Sequence, residues 1–216
     1  MASGIAMPMP MPMPMPMKPN TRPYISGSTV SCSTVMDGVA KDGTGTTRPP
    51  DGVVRGMSLD EIPLTTIDGA ETSLARYAGQ VKLIVNVASR CGLTPQYTQL
   101  EELQRTFGER GFTVLGFPIN PFLQELGSTD AIKEFCSLTY GVTFPMFDKV
   151  KVNGRWKHPL YAELTKVPDA GGAAGKVRWN FEKFLVTPQG AIHRFRSTVA
   201  PQAPEIVALI EANLPG

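Results

Sequence analysis

Apolar positions are organised from about residue 57 onward and hardly at all before it. Val81–Val87 (VKLIVNV) is almost continuously apolar and β-branched, as a central strand covered on both faces requires. Tyr97, Leu100, Leu103 and Phe107 then recur at helical spacing and predict an amphipathic helix over about Pro95–Gly108. Gly111 precedes a second buried strand, Phe112–Phe117, and Thr129-Asp130 opens a helix that carries Ile132, Phe135 and Cys136 on one face and ends near Gly141.

Shorter elements fill the remainder. Glu61–Thr66 and Glu71–Ser73 flank an Asp68-Gly69 turn, a hairpin signal. Thr143–Phe147 is a short extended piece interrupted by Pro145, and Pro159–Lys166 a brief helix. After the Ala170–Gly175 loop, Phe184–Val186 and Ala191–Phe195 form a hairpin around Pro188-Gln189-Gly190. A final helix follows over about Ala203–Leu214. Strand–helix–strand–helix followed by a hairpin and helix predicts an α/β sandwich in which helices flank a central mixed sheet, thioredoxin-like in outline.

Composition sharpens the boundary. Up to Gly56 there is no leucine and one aromatic residue, Tyr24, but nine of the 20 prolines and eight of the 10 methionines. Such a stretch cannot offset an ordering entropy of about 1–2 kcal/mol per residue. Residues 1–56 are therefore expected to be a disordered extension and 57–216 a single folded domain. Methionine and proline alternate strictly from Met7 to Met17. That alternation excludes helix, including the apolar core of a signal peptide, and predicts an extended spacer. Three acidic residues argue against a transit peptide, so the expected location is cytoplasmic, with organelle targeting by the extension as the alternative.

Charge excludes one class of function. The chain carries 21 basic and 19 acidic residues; those beyond Gly56 balance, which leaves no electrostatic footprint for nucleic acid. Three cysteines (Cys32, Cys91, Cys136) and two histidines (His158, His193) form neither a disulfide framework nor a metal-ligand set, so no cofactor or metal is expected. No apolar run reaches the roughly 20 residues of a membrane span.

Cys91 is the residue with chemistry. It stands just past the first buried strand and before the helix that opens near Pro95, at the carboxyl edge of the sheet. Free N–H groups and the helix dipole favour an anion there. The position suits a reactive thiolate; from the residues alone, a buried packing cysteine is the competing reading.

Four ordered blocks then resemble the glutathione peroxidase family in its cysteine-containing form. Asn86-Val87-Ala88-Ser89-Arg90-Cys91-Gly92-Leu93-Thr94 is similar to its catalytic signature. Leu115–Pro118 with Asn120, Phe122 and Gln124-Glu125 resembles its FPCNQFGxQEP segment. Val150–Gly154 with Pro159-Leu160-Tyr161 resembles its VNG…PLY region, and Trp179-Asn180-Phe181 with Lys183–Val186 its WNFxKFLV block. The resemblance implies a thiol peroxidase with a catalytic tetrad of Cys91, Gln124, Trp179 and Asn180, acting on hydrogen peroxide and organic or lipid hydroperoxides. One segment departs from the pattern. Ile119 replaces the usual cysteine, Pro121 the usual glutamine and Leu126 the usual proline, and the loop is one residue short.

Cys136 resembles the resolving cysteine of thioredoxin-dependent members, which would condense with oxidised Cys91 to a disulfide. Its place on an apolar helix face implies that this helix must move first. The short Ala170–Gly175 loop resembles that of monomeric, thioredoxin-type members, so a thioredoxin-like dithiol protein is the expected reductant and a monomer the expected state. The alternatives are direct use of glutathione without a resolving cysteine, and a peroxide sensor or redox relay with little turnover.

Overall fold

The structure, a computed structural model, describes residues 58–216; the extension expected over 1–56 lies outside the described residues. Its elements are β1 (Leu64–Thr65), β2 (Glu71–Thr72), β3 (Val81–Val87), α1 (Gln96–Phe107), β4 (Phe112–Pro118), α2 (Thr129–Tyr140), α3 (Pro159–Leu164), β5 (Lys183–Val186), β6 (Ile192–Phe195) and α4 (Pro204–Asn213). The first pair forms a small antiparallel hairpin. The other four strands form one sheet in the order β4-β3-β5-β6. β3 and β4 run parallel, joined by a crossover through α1, while β5 and β6 add antiparallel. The arrangement is a thioredoxin-like α/β sandwich.

Period-two alternation divides the strands between two cores. Leu83, Val85, Val87, Val114 and Leu185 face a layer with Tyr97, Leu100 and Leu103 of α1 and Ile206 and Ile210 of α4. Ile84, Leu115, Phe117, Phe184 and Val186 face the opposite layer, with Leu160, Tyr161 and Leu164 of α3. Phe147 stacks on Phe117 with ring centres 4.4 Å apart. The Thr143–Phe147 piece lies beside β4: Gly116 N–H donates to Pro145 O at 3.0 Å, and Phe147 N–H to Gly116 O at 2.9 Å.

One element differs from the sequence expectation. The first strand begins at Leu64 rather than Glu61, because Leu59–Glu61 forms a 3-10 turn. Ser58 N–H donates to the Glu61 carboxylate at 3.1 Å, and Pro63, which has no N–H to give a ladder, follows. Among the described residues no helix is long and apolar enough to cross a membrane.

Candidate active site

Strand β3 delivers the cysteine. Beyond Val87 the backbone turns, and a residue at the start of the next helix fixes it: Cys91 N–H donates to Thr94 Oγ1 at 2.9 Å, and that hydroxyl donates to Ala88 O at 3.1 Å. Thr94 N–H returns to Cys91 O at 2.9 Å, and Leu93 N–H points at Cys91 Sγ, 3.4 Å away. The sulfur thus meets a backbone donor at the entrance to α1, the kind of contact that steadies an anionic nucleophile. Cys91 as a residue is 8% exposed, so it lies at the edge of its core layer.

Strand β4 delivers the second part. Val87 and Pro118 are register partners, so both loops leave the sheet at one level. The loop after Pro118 folds back onto the cysteine turn: Arg90 N–H donates to Gln124 O at 2.8 Å, and Ser89 N–H to Glu125 Oε1 at 3.1 Å. The shortened segment closes through Leu123, a non-glycine residue at φ 55° with an exposed side chain. That left-handed turn costs on the order of 1 kcal/mol. The Gln124 side chain that follows it accepts a hydrogen bond from the third part of the site.

The third part precedes β5. Asn180 Nδ2 donates to Gln124 Oε1 at 2.7 Å, joining residues 56 apart in sequence. Trp179 is partly exposed and packs on Phe122 with ring centres 4.7 Å apart. Side chains hold this turn from several directions. Asn86 Nδ2 donates to Trp179 O at 2.9 Å, Phe181 N–H to Asn86 O at 2.6 Å, and Arg178 N–H to Glu182 Oε2 at 3.1 Å. The buried Lys183 ammonium donates to both Phe181 O and Val199 O, each at 2.7 Å. These anchors keep Phe181 at φ 62°, and burial lowers the Lys183 pKa to about 7, against the pull of Glu182.

Glu182 is itself fully buried and pairs with Arg194, whose Nε donates to Oε1 at 2.6 Å; Arg196 adds a further donor at 2.9 Å. Arg194 also donates to Gly175 O at 2.8 Å, fixing the approach to Trp179. A buried pair of this quality is held together by its additional hydrogen bonds.

Cys136 sits elsewhere. α2 starts with Ser128 Oγ accepting from Ala131 N–H at 3.2 Å and ends at Gly141 in the left-handed region. Its inner face buries Ile132 and Cys136 in the same core layer that Cys91 edges. The Cys136 thiol donates to Tyr97 Oη at 3.5 Å, and burial pushes its pKa up to about 11. Both Cys91 and Cys136 are free thiols. Among the described residues no group of three or more His, Cys, Asp or Glu is placed to hold a metal ion.

The structure thus joins Gln124 and Asn180 directly, places the Gln124 backbone against the residue before Cys91, and packs Phe122 on Trp179 with the rings tilted. It keeps Cys136 on its buried helix face. Sequence reasoning assigned no role to Asn86, Thr94, Phe122, Glu182 or Lys183. One signal was present: a polar Asn86 inside an otherwise apolar buried strand, and a Glu-Lys pair opening another, call for specific buried partners.

Residues 59–165 match the glutathione peroxidase family, a span that contains Cys91, Gln124 and Cys136 and ends before Trp179. The thioredoxin/glutathione peroxidase BtuE of Escherichia coli is 47% identical over 169 residues, covering 68% of this chain and 92% of that protein. The hydroperoxy fatty acid reductase gpx1 of Synechocystis is 50% identical over 156 residues, covering 68% and 90%. The crystal structure of T. cruzi GPX1 matches with a TM-score of 0.57 at 30% identity, over 73% of this chain and 95% of that one. Identity at this level over nearly the whole of each relative leaves one conclusion: the chain belongs to the glutathione peroxidase family and is a peroxidase.

Proposed function

We propose that the protein reduces hydrogen peroxide and organic hydroperoxides through Cys91, with Cys136 as the resolving cysteine and a thioredoxin-like dithiol protein as reductant. The observation that carries the reading is the Gln124–Asn180 amide contact beside the Cys91 turn. The Cys91 thiolate attacks one oxygen of the hydroperoxide; the O–O bond breaks, its electron pair leaves on the distal oxygen, and a proton completes the alcohol or water. Cys91 is left as sulfenic acid. Amide donors from Gln124 and Asn180 and the Trp179 indole N–H orient the peroxide and receive the developing oxyanion.

Cys136 then attacks the Cys91 sulfur, forming the S–S bond and releasing water, and dithiol exchange restores both thiols. Because Cys136 is buried and bonded to Tyr97, α2 must open before the sulfurs meet. Two relatives, a thioredoxin/glutathione peroxidase and a hydroperoxy fatty acid reductase, support the reductant and the substrate class. The sequestration of Cys136 favours a second reading, direct reduction of the sulfenic acid by glutathione.

Peroxide consumption coupled through thioredoxin and its reductase to NADPH separates the two. The first reading expects turnover that disappears in Cys136→Ser. Turnover that survives the substitution, and runs on glutathione, establishes the second. Silence of the unsubstituted protein with both reductants leaves a redox relay.

A further inference from the structure

Glu125 is the buried ionisable group beside the site that the mechanism above does not use. It is 7% exposed, and its two oxygens have different surroundings. Oε1 accepts from Ser89 N–H at 3.1 Å and from Leu126 N–H at 2.8 Å. Oε2 is buried with no hydrogen-bond partner among the described residues. Its backbone N–H donates to Asn120 Oδ1 at 3.2 Å, and the preceding carbonyl, that of Gln124, accepts from Arg90 N–H. Two consecutive amides of the cysteine turn are therefore taken up by two consecutive residues of the opposite loop.

We propose that Glu125 is a positioning residue of the peroxidase site: its carboxylate docks the 120–126 loop onto the Ser89-Arg90 backbone and so sets where the Gln124 side chain meets Asn180 beside Cys91. The proposal rests on the reading of Cys91 as the peroxide-attacking thiol. A short loop with a proline at 121 and a left-handed Leu123 has no regular ladder to fix it, and the carboxylate supplies that fixation. Other groups face the same carboxylate. Burial raises the Glu125 pKa, against the opposing pull of the Ser89 hydroxyl, the Leu126 and Ser89 amides and Lys149, whose ammonium donates to Leu126 O at 2.9 Å. The Tyr97 hydroxyl and the Cys136 thiol both feel the Glu125 charge, which opposes their ionisation. One side chain thus touches the loop that carries Gln124 and acts on the environment of the second cysteine.

The test follows single-turnover oxidation of Cys91 by hydrogen peroxide in the full chain carrying Cys32→Ser and Cys136→Ser, where Cys91 is the sole thiol. Glu125→Ala is expected to slow oxidation by about tenfold to a hundredfold, the scale of a misplaced catalytic group. Glu125→Gln, which keeps an acceptor for the Ser89 amide, should recover most of that loss. Combined with Gln124→Ala, Glu125→Ala should add little further slowing, because both act through the same amide, although their effects on melting temperature add. Should Glu125→Ala not fold, Glu125→Asp carries the test: it keeps the charge, shortens the reach and should slow oxidation severalfold.

A Glu125→Ala or Glu125→Asp protein that oxidises as fast as its parent overturns the proposal while the reading of Cys91 stands. Rate losses of Glu125→Ala and Gln124→Ala that multiply also overturn it. A parent that peroxide leaves unoxidised removes the reading of Cys91 itself, a separate result.

Discussion

The two cysteines of the folded domain occupy one core layer and are treated oppositely. Cys91 sits in a turn after a strand, tied down through its own N–H and carbonyl by Thr94, with its sulfur at the rim. Cys136 sits mid-helix, its thiol turned inward on Tyr97 and its backbone committed to α2. Fixing the first through its main chain leaves the side chain available for chemistry. Fixing the second through its side chain keeps it protonated and buried. On the proposed reading, the attacking and the resolving thiol differ in their anchors rather than in the core layer they share.

The largest expected effect breaks the symmetry outright. Cys91→Ser abolishes peroxide consumption, measured as loss of hydrogen peroxide, whereas Cys136→Ser still consumes one equivalent per protein in a single turnover. Next comes labelling by iodoacetamide at pH 7.5 in a Cys32→Ser background. With its pKa near 11, Cys136 in the Cys91→Ser protein should react at least ~100-fold more slowly than an unburied thiol in a short peptide. Labelling of Cys136 should climb steeply as pH approaches 11. Equal labelling at pH 7.5 would erase the distinction.

A subtler effect concerns the anchor on the Trp179 side. Lys183 titrates near 7 when folded and at its ordinary value when unfolded, so between those values the unfolded chain binds more protons. Its contribution to stability therefore rises with pH above about 7, by up to ~1.4 kcal/mol per pH unit. Denaturant unfolding at pH 7 and pH 9 should show wild type gaining on Lys183→Met; a constant difference would mean that the folded protein keeps the Lys183 ammonium protonated through pH 9. The smallest effect belongs to Thr94→Val, which removes the hydroxyl that receives the Cys91 amide. It should cost about 1–2 kcal/mol in the same unfolding measurement.

What the sequence displayed was whatever repeats locally. The β3 strand, the α1 stripe and the α2 helix around Cys136 all follow from periodicity, and Cys91 was legible because a strand end and a helix start bracket it. The contacts that assemble the site are not periodic. Gln124 meets Asn180 across 56 residues, and only the family resemblance placed those two together in advance; Asn86 meets Trp179 across 93, a contact that the sequence reading did not foresee. The first strand was drawn three residues too early because a capping turn at Ser58–Glu61 is as polar and irregular as a strand edge. Leu123 and Phe181 went unnoticed because neither residue type advertises a left-handed backbone.

The pairing of Val87 with Pro118 has a consequence for how such a protein can change. Both site loops spring from the same rung of the sheet, so their distance apart is set by strand length and not by what the loops contain. Beyond Pro118 the backbone is irregular, with Leu123 in the left-handed region, while the strand below keeps its register. A single deletion inside β3 or β4 would instead rotate every following side chain to the opposite layer. Inheritance therefore has freedom to rewrite the loops, and with them substrate reach, only while it leaves two seven-residue strands counted to the same length.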